Sequence, residues 1–213
     1  MQIGSTSRAP NRIFAAIWVA DRHSWRQKHS VNDAPPRNAD LAALVRTIPD
    51  YPKPGILFRD VSTLLLNGPG FRAAIDRLIT TFDPNQIDLI AGVEARGFIV
   101  ASALSYALTK GKLMLRKPGK LPGASVGVDY TLEYGTDRIE MHIGAVDHGT
   151  RILLVDDLIA TGGTAFAGVD LLRSQGAVVD EARFLIDLPD LGGAAKLSGR
   201  GVRCESLLSF SGH

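Results

Sequence analysis

The sequence predicts an α/β fold: a Rossmann-like, mostly parallel sheet flanked by helices. Three observations predict it. Short apolar runs of strand length alternate with stretches whose apolar residues recur at helical spacing, the pattern of βα units. A strand pattern over 151–155 ends in two acids, and a glycine-rich turn, Thr161-Gly162-Gly163-Thr164, opens the next helix pattern. With 213 residues, 45% of them hydrophobic, the chain is long enough to bury one sizeable core.

The elements follow in order. Residues 41–47 place Leu41, Leu44 and Val45 on one face, with Ile48 just beyond and Asp40 as a cap, and predict a short helix. Pro49, Pro52, Pro54 and Gly55 then predict a turn-rich loop. Phe71, Ala74, Ile75, Leu78 and Ile79 share one face of a helix over 70–82. A buried strand over 88–93 leads into a helix over 98–108 and a strand over 112–116. The glycine and proline content of 117–135 predicts a long mobile loop. A strand over 138–143, a buried strand over 151–155, a helix over 165–174 and a strand over 178–186 complete the pattern. Strands separated by helices imply parallel pairing with right-handed crossovers.

Residues 1–39 read unlike the rest and form an amino-terminal extension to a domain spanning 40–213. The extension holds six basic and two acidic residues, a balance of +4. The remaining 18 basic and 20 acidic residues leave the body at −2, within a chain of net charge +2. A mildly acidic body gives no case for nucleic-acid binding. The extension is expected to be a disordered tail or a start assigned too early, with Val31 as an alternative start. Its apolar run, 13–20, is short for a signal peptide and lacks a good cleavage site. No apolar run approaches the ~20 residues of a membrane span. One cysteine, Cys204, forbids an internal disulfide and fits a cytoplasmic location, with a packing role for the thiol. The histidines His23, His29, His142, His148 and His213 show no metal-ligand spacing.

The segment 151–164 carries the strongest chemistry. Ligands of open α/β sheets bind beyond the carboxyl ends of strands. Glycines let backbone N–H groups approach a phosphate at a helix start, and Thr161 and Thr164 add hydroxyl donors. Asp156 and Asp157 suit ribose hydroxyls, or water held on Mg²⁺, with no direct protein ligation of the metal. A second strand ends in Gly92-Val-Glu-Ala-Arg-Gly-Phe98, where Arg96 offers a forked donor and Gly97 gives access.

The string from the apolar strand through Asp156-Asp157 to Ala160-Thr161-Gly162-Gly163-Thr164 resembles the phosphoribosyl-pyrophosphate motif of type I phosphoribosyltransferases. That resemblance implies their fold, with a small hood and a flexible catalytic loop. It also implies the acid pair near the ribose hydroxyls and Ala160 to Thr164 around the 5′-phosphate. The 92–98 turn is similar to the family's pyrophosphate loop, which implies substrate contacts from Glu94 and Ala95 and a catalytic Arg96. Ile48 to Asp60 resembles the amino-terminal signature of adenine-type members. By that likeness Phe58 stacks on adenine, the Arg59 backbone reads its edge and Leu191 closes the other side. Leu115 to Gly123 and Tyr130 to Gly135 are similar to the adenine family's catalytic loop. The likeness implies Arg116, Lys117 and Lys120 facing pyrophosphate, Glu133 as the acid/base for adenine and Tyr134 packing on loop or substrate. It further implies Mg²⁺, a homodimer, adenine and phosphoribosyl pyrophosphate as substrates, and purine salvage.

After Asp60 the chain reads Val61-Ser62-Thr63-Leu64, where many members have a proline, and Ser211 stands where a proline is usual near the end. Two other readings are weighed. An enzyme for another base is disfavoured by Phe58-Arg59 and by Leu132-Glu133-Tyr134-Gly135. A regulator that kept the sugar-phosphate site needs a DNA-binding unit, and 1–39 shows no convincing helix-turn-helix.

Overall fold

The structure is a computed structural model that describes residues 37–132 and 135–212. Most of the amino-terminal extension, Glu133 and Tyr134, and His213 lie outside the described residues. After α1 (Ala39–Ala42), the antiparallel pair β1 (Arg46–Pro49) and β2 (Leu57–Asp60) leads into α2 (Ser62–Leu66) and α3 (Gly68–Ile79). Then come β3 (Leu89–Val93), α4 (Gly97–Leu108) and β4 (Gly111–Leu115). A hairpin of β5 (Ser125–Leu132) and β6 (Gly135–His142) precedes β7 (Arg151–Ile159), α5 (Gly163–Ser174), β8 (Val178–Asp187), α6 (Gly193–Ser198) and β9 (Arg203–Ser209).

The central sheet has five parallel strands in the order β4-β3-β7-β8-β9. Alternation along its strands feeds two apolar clusters, one on each face. Ile90, Leu153 and Val155 join Ala74, Leu78, Val100 and Leu104 of α3 and α4 on one face. Ala91, Ile152, Leu154 and Phe184 join Val169, Leu172 and Leu197 of α5 and α6 on the other. Strands covered on both faces read as nearly continuous apolar runs, which is why β3 and the first half of β7 stood out in the sequence. The chain leaves β3 toward β4 on one side and leaves β7 toward β8 on the other. Between β3 and β7 the order reverses, and this opens a crevice at their carboxyl ends.

Two expectations need correction. The helix expected over 41–47 stops at Ala42. Residues 46–49 are instead a strand paired with 57–60, an arrangement fixed by the bond from Arg46 Nη2 to Asp60 (2.5 Å) and the Thr63 hydroxyl donating to Leu44 O (2.5 Å). Asp40 makes no cap. It lies inside the first turn and pairs with Arg77 of α3 (2.6 Å). The long loop expected over 117–135 is half strand. Its two prolines and two of its four glycines fall in 118–123, and Val126, Val128 and Tyr130 alternate inward against the α5 side of the core. Among the described residues, no helix is long and apolar enough to cross a membrane.

Candidate active site

A cavity of about 390 Å³ occupies the crevice beyond β3 and β7. It gathers Glu94, Ala95 and Arg96 from the β3–α4 turn, Lys117 from beyond β4, the pair Asp156 and Asp157 from β7, and Ala160 to Thr164. The sequence placed these residues in three separate segments, and the fold brings them to one site.

The phosphate loop is built for close approach. Gly162 takes φ 88°, a left-handed conformation that side chains rarely adopt, and a Cβ there would lie 2.8 Å from the Phe166 ring. Helix α5 begins at Gly163 with no side chain capping it, so its first N–H groups face the cavity mouth without an intrahelical partner. Those donors and the positive end of the helix dipole suit an anion. Gly193 supports the loop from below. Its N–H donates to Ala160 O (3.0 Å), and a Cβ on Gly193 would lie 2.7 Å from Gly162 N. Sequence reasoning missed this role, because nothing in a Gly-Gly pair reports a contact with a loop thirty residues away.

The acid pair is electrostatically loaded. Burial, and then the charge of Asp157, push the Asp156 carboxyl well above the usual carboxylate range. Asp156 Oδ1 accepts from Asp157 N (2.9 Å), and Asp157 accepts a short hydrogen bond from Arg96 Nε. The Arg96 side chain is half exposed, so it keeps donors free to meet a ligand. Glu94 is held below its ordinary pKa, chiefly by hydrogen bonds from Arg116, whose Nη2 lies 3.1 Å from Oε1. Arg116 also donates to Lys120 O (2.9 Å), which folds the 116–120 turn beside the cavity and leaves Lys120 exposed. Lys117 N donates to Glu94 (2.8 Å), while its ammonium pairs with Asp137 and donates to the Tyr130 hydroxyl (3.0 Å).

The residues assigned to a base pocket lie beside this cavity rather than in its wall. Phe58 meets Tyr51 edge-on at 5.2 Å, and the Arg96 guanidinium lies 5.9 Å from its ring. The Arg59 side chain turns away to Thr47 (2.6 Å) and Ser211 O (2.8 Å) and stacks on Phe210 at 4.8 Å, tying β2 to the carboxyl terminus. Leu191 sits in the turn Pro189–Leu191 and packs on the α3–α4 cluster together with Leu158 and Phe210. Asp187, the last residue of β8, was not singled out from sequence. Its buried Oδ1 takes no hydrogen bond, and burial raises its pKa. Cys204 is partly buried against the core, and burial pushes its thiol up to about 11, an inert setting. Among the described residues, no cluster of three or more His, Cys, Asp or Glu could hold a metal.

Comparison with known proteins agrees with this geometry. Residues 62–186 match the phosphoribosyl transferase domain family. The adenine phosphoribosyltransferase of Azorhizobium caulinodans is 56% identical over 174 residues, which cover 82% of this chain and 97% of that protein. The crystal structure of adenine phosphoribosyltransferase from Thermoanaerobacter pseudethanolicus superposes with a TM-score of 0.76 at 43% identity, covering 80% of this chain and 98% of that one. The enzyme from Saccharomyces cerevisiae, complexed with an imino-altritol bisphosphate and adenine, gives a TM-score of 0.74 at 36% identity, covering 79% and 97%.

Proposed function

The chain belongs to the adenine phosphoribosyltransferases, pentosyltransferases of purine salvage within the phosphoribosyl transferase family, and from that membership we propose how its residues carry the reaction. Adenine attacks C1 of the ribose of phosphoribosyl pyrophosphate through N9. The C1–O bond breaks, pyrophosphate leaves with the electron pair, and AMP forms. The observation that carries this reading is the single cavity joining an uncapped helix start, an acid pair and Arg96. The helix start and the hydroxyls of Thr161 and Thr164 suit the 5′-phosphate. Asp156 and Asp157 suit the ribose hydroxyls. Arg96 and Lys117 suit the leaving pyrophosphate, whose charge grows as the bond breaks. The yeast relative, complexed with adenine and a bisphosphate, supports a base site beside the phosphate cradle. Phe58 and Leu191 would sandwich the base, and Glu133 would take the N9 proton.

The donors present fit a magnesium ion carried by substrate rather than a protein-built site. The acid pair supplies hard oxygens, but Asp157 is already engaged by Arg96, and among the described residues no third ligand completes a metal cluster. Asp156 and Asp157 would hold the ion through water, and it would neutralise charge on pyrophosphate. We also propose a homodimer located in the cytoplasm. Tyr106 and Ile99 of α4, 90% and 41% exposed, and Met114 of β4, 38% exposed, supply apolar surface for a second copy.

The test offers purified protein a panel of adenine, hypoxanthine, xanthine and orotate, with phosphoribosyl pyrophosphate and with or without Mg²⁺. Nucleotide is expected from adenine alone and only with the metal. Equal use of another base, no nucleotide at all, or full activity in chelator would overturn the reading.

A further inference from the structure

The inner face of the β5–β6 hairpin changes character along its length. At two successive rungs it is apolar: Val126 stands opposite Met141, and Val128 opposite Ile139, all on the α5 side of the core. At the next rung the pair is Tyr130 opposite Asp137. A phenol and a carboxylate thus continue a stripe that otherwise packs on hydrocarbon. Polar groups at such a rung need partners, and the partners are specific. The Lys117 ammonium pairs with Asp137 and sits 3.0 Å from the Tyr130 hydroxyl, with the tyrosine ring 5.6 Å from Nζ. The Tyr130 hydroxyl also donates to Asp137 (3.0 Å) and lies 3.5 Å from Thr164 Oγ1, in the phosphate loop. Lys117 and Thr164 both line the cavity, whereas Tyr130 and Asp137 stand behind them.

We infer that Asp137 and Tyr130 are positioning residues that hold Lys117 toward the leaving pyrophosphate and tie it to the 5′-phosphate cradle through Thr164. The inference rests on the reading that Lys117 faces pyrophosphate. A lysine side chain loses rotamer freedom when fixed. An ammonium already seated on a carboxylate and a phenol meets that cost before substrate arrives, the condition for preorganised stabilisation of developing charge. Partial burial alone would drive Lys117 toward its neutral form. The hydrogen bonds to Asp137 and Tyr130 outweigh that desolvation, so its pKa rises and the group stays a cation. The same ammonium holds Asp137 below its ordinary pKa.

The experiment is a double-mutant cycle in the full chain, with Asp137→Asn, Lys117→Met and the pair together, reading kcat and the KM of each substrate. Asp137→Asn is expected to lower kcat/KM for phosphoribosyl pyrophosphate roughly tenfold, within the range of contacting pairs, with the adenine KM unchanged. On the Lys117→Met background the same substitution is expected to cost nothing further, and Asp137→Glu is expected to recover part of the loss. Losses that multiply in the double variant, or wild-type kinetics for Asp137→Asn, would overturn the inference. Wild-type kinetics for Lys117→Met would instead overturn the role of Lys117 itself. Should Asp137→Asn fail to fold, Tyr130→Phe keeps the ring and removes the hydroxyl. It is expected to raise the KM for phosphoribosyl pyrophosphate, and an unchanged value refutes the tie to Thr164.

Discussion

Substituting Gly193 with alanine adds one methyl group under the phosphate loop, and the structure gives the size of the disturbance. A Cβ at this position would lie 2.7 Å from Gly162 N and 2.9 Å from the Thr161 carbonyl carbon, and closer still to Ala160 O. Tight contacts between carbon and a polar backbone atom lie at about 3.3–3.6 Å. The loop must therefore retreat by at least about 0.6 Å, and by more at the Ala160 oxygen. All three neighbours are backbone, so no side chain can swing aside. Overpacking of this kind costs about 1–3 kcal/mol. A displacement approaching 1 Å in a site that positions substrate costs about a hundredfold in rate. Gly193→Ala is therefore expected to raise the KM for phosphoribosyl pyrophosphate and to lower kcat/KM by one to two orders of magnitude, roughly. Gly192→Ala is the control. Gly192 takes φ 72°, so alanine there is strained, but the nearest atom to its Cβ is Lys196 Cε at 3.8 Å and nothing pushes on the loop. It should lower the melting temperature while sparing the kinetics. If both variants lose activity in step with stability, or if Gly193→Ala keeps wild-type constants, the argument fails.

Three further outcomes are expected. Phe58→Ala should raise the KM for adenine while leaving that for phosphoribosyl pyrophosphate alone, since base stacking contributes about 1–3 kcal/mol; equal effects on both substrates would count against a stacking role. Glu133→Ala should lower turnover by roughly 10²–10⁴ with substrate affinities nearly intact, the signature of a lost proton acceptor, and a large loss of binding at unchanged turnover would refute that role. Asp187→Asn should flatten the dependence of stability on pH. Burial raises the folded pKa of Asp187 above its unfolded value near 3.8, so its contribution is fully present below that value and is lost as pH rises through the folded pKa. Melting curves from pH 3 to 7 should therefore fall less for the asparagine variant than for the wild type, and parallel curves would show that Asp187 is not desolvated.

What the sequence made legible was local chemistry written contiguously. The strand, acid pair and glycine turn of 151–164 form one string, and their periodicity switches from strand to helix at the point where the phosphate loop lies. The sheet was legible for a related reason: strands buried on both faces are apolar throughout. What stayed hidden depended on contacts between distant segments. Residues 41–47 have helical spacing, yet the pairing of 46–49 with 57–60 overrides it. The role of Gly193 depends on where α6 begins relative to Ala160, which no local pattern encodes. The Tyr130–Asp137 rung could have been found, since Val126, Val128 and Tyr130 alternate, as do Asp137, Ile139 and Met141. The neighbouring prolines and glycines masked that alternation.

The two ends of the sheet are built on opposite principles. At the amino ends of the strands charge is closed off. Arg151 meets Asp88 at 2.6 Å and Gln86 at 3.1 Å. At the carboxyl ends it is left open, with the Asp156 carboxyl raised by burial and then by its neighbour, Asp187 with an unpartnered oxygen and α5 without a cap. Groups satisfied at one end and unsatisfied at the other mark the second end as the one shaped by a ligand rather than by stability. The open groups also state what that ligand must be. The acid pair demands hydroxyl donors or a cation, and six residues further on the helix start demands an anion. A sugar whose hydroxyls lie one short carbon chain from its phosphate meets both demands at once. An inorganic phosphate meets only the second and a free nucleobase neither, so either alone should bind this cavity far more weakly than the phosphorylated sugar.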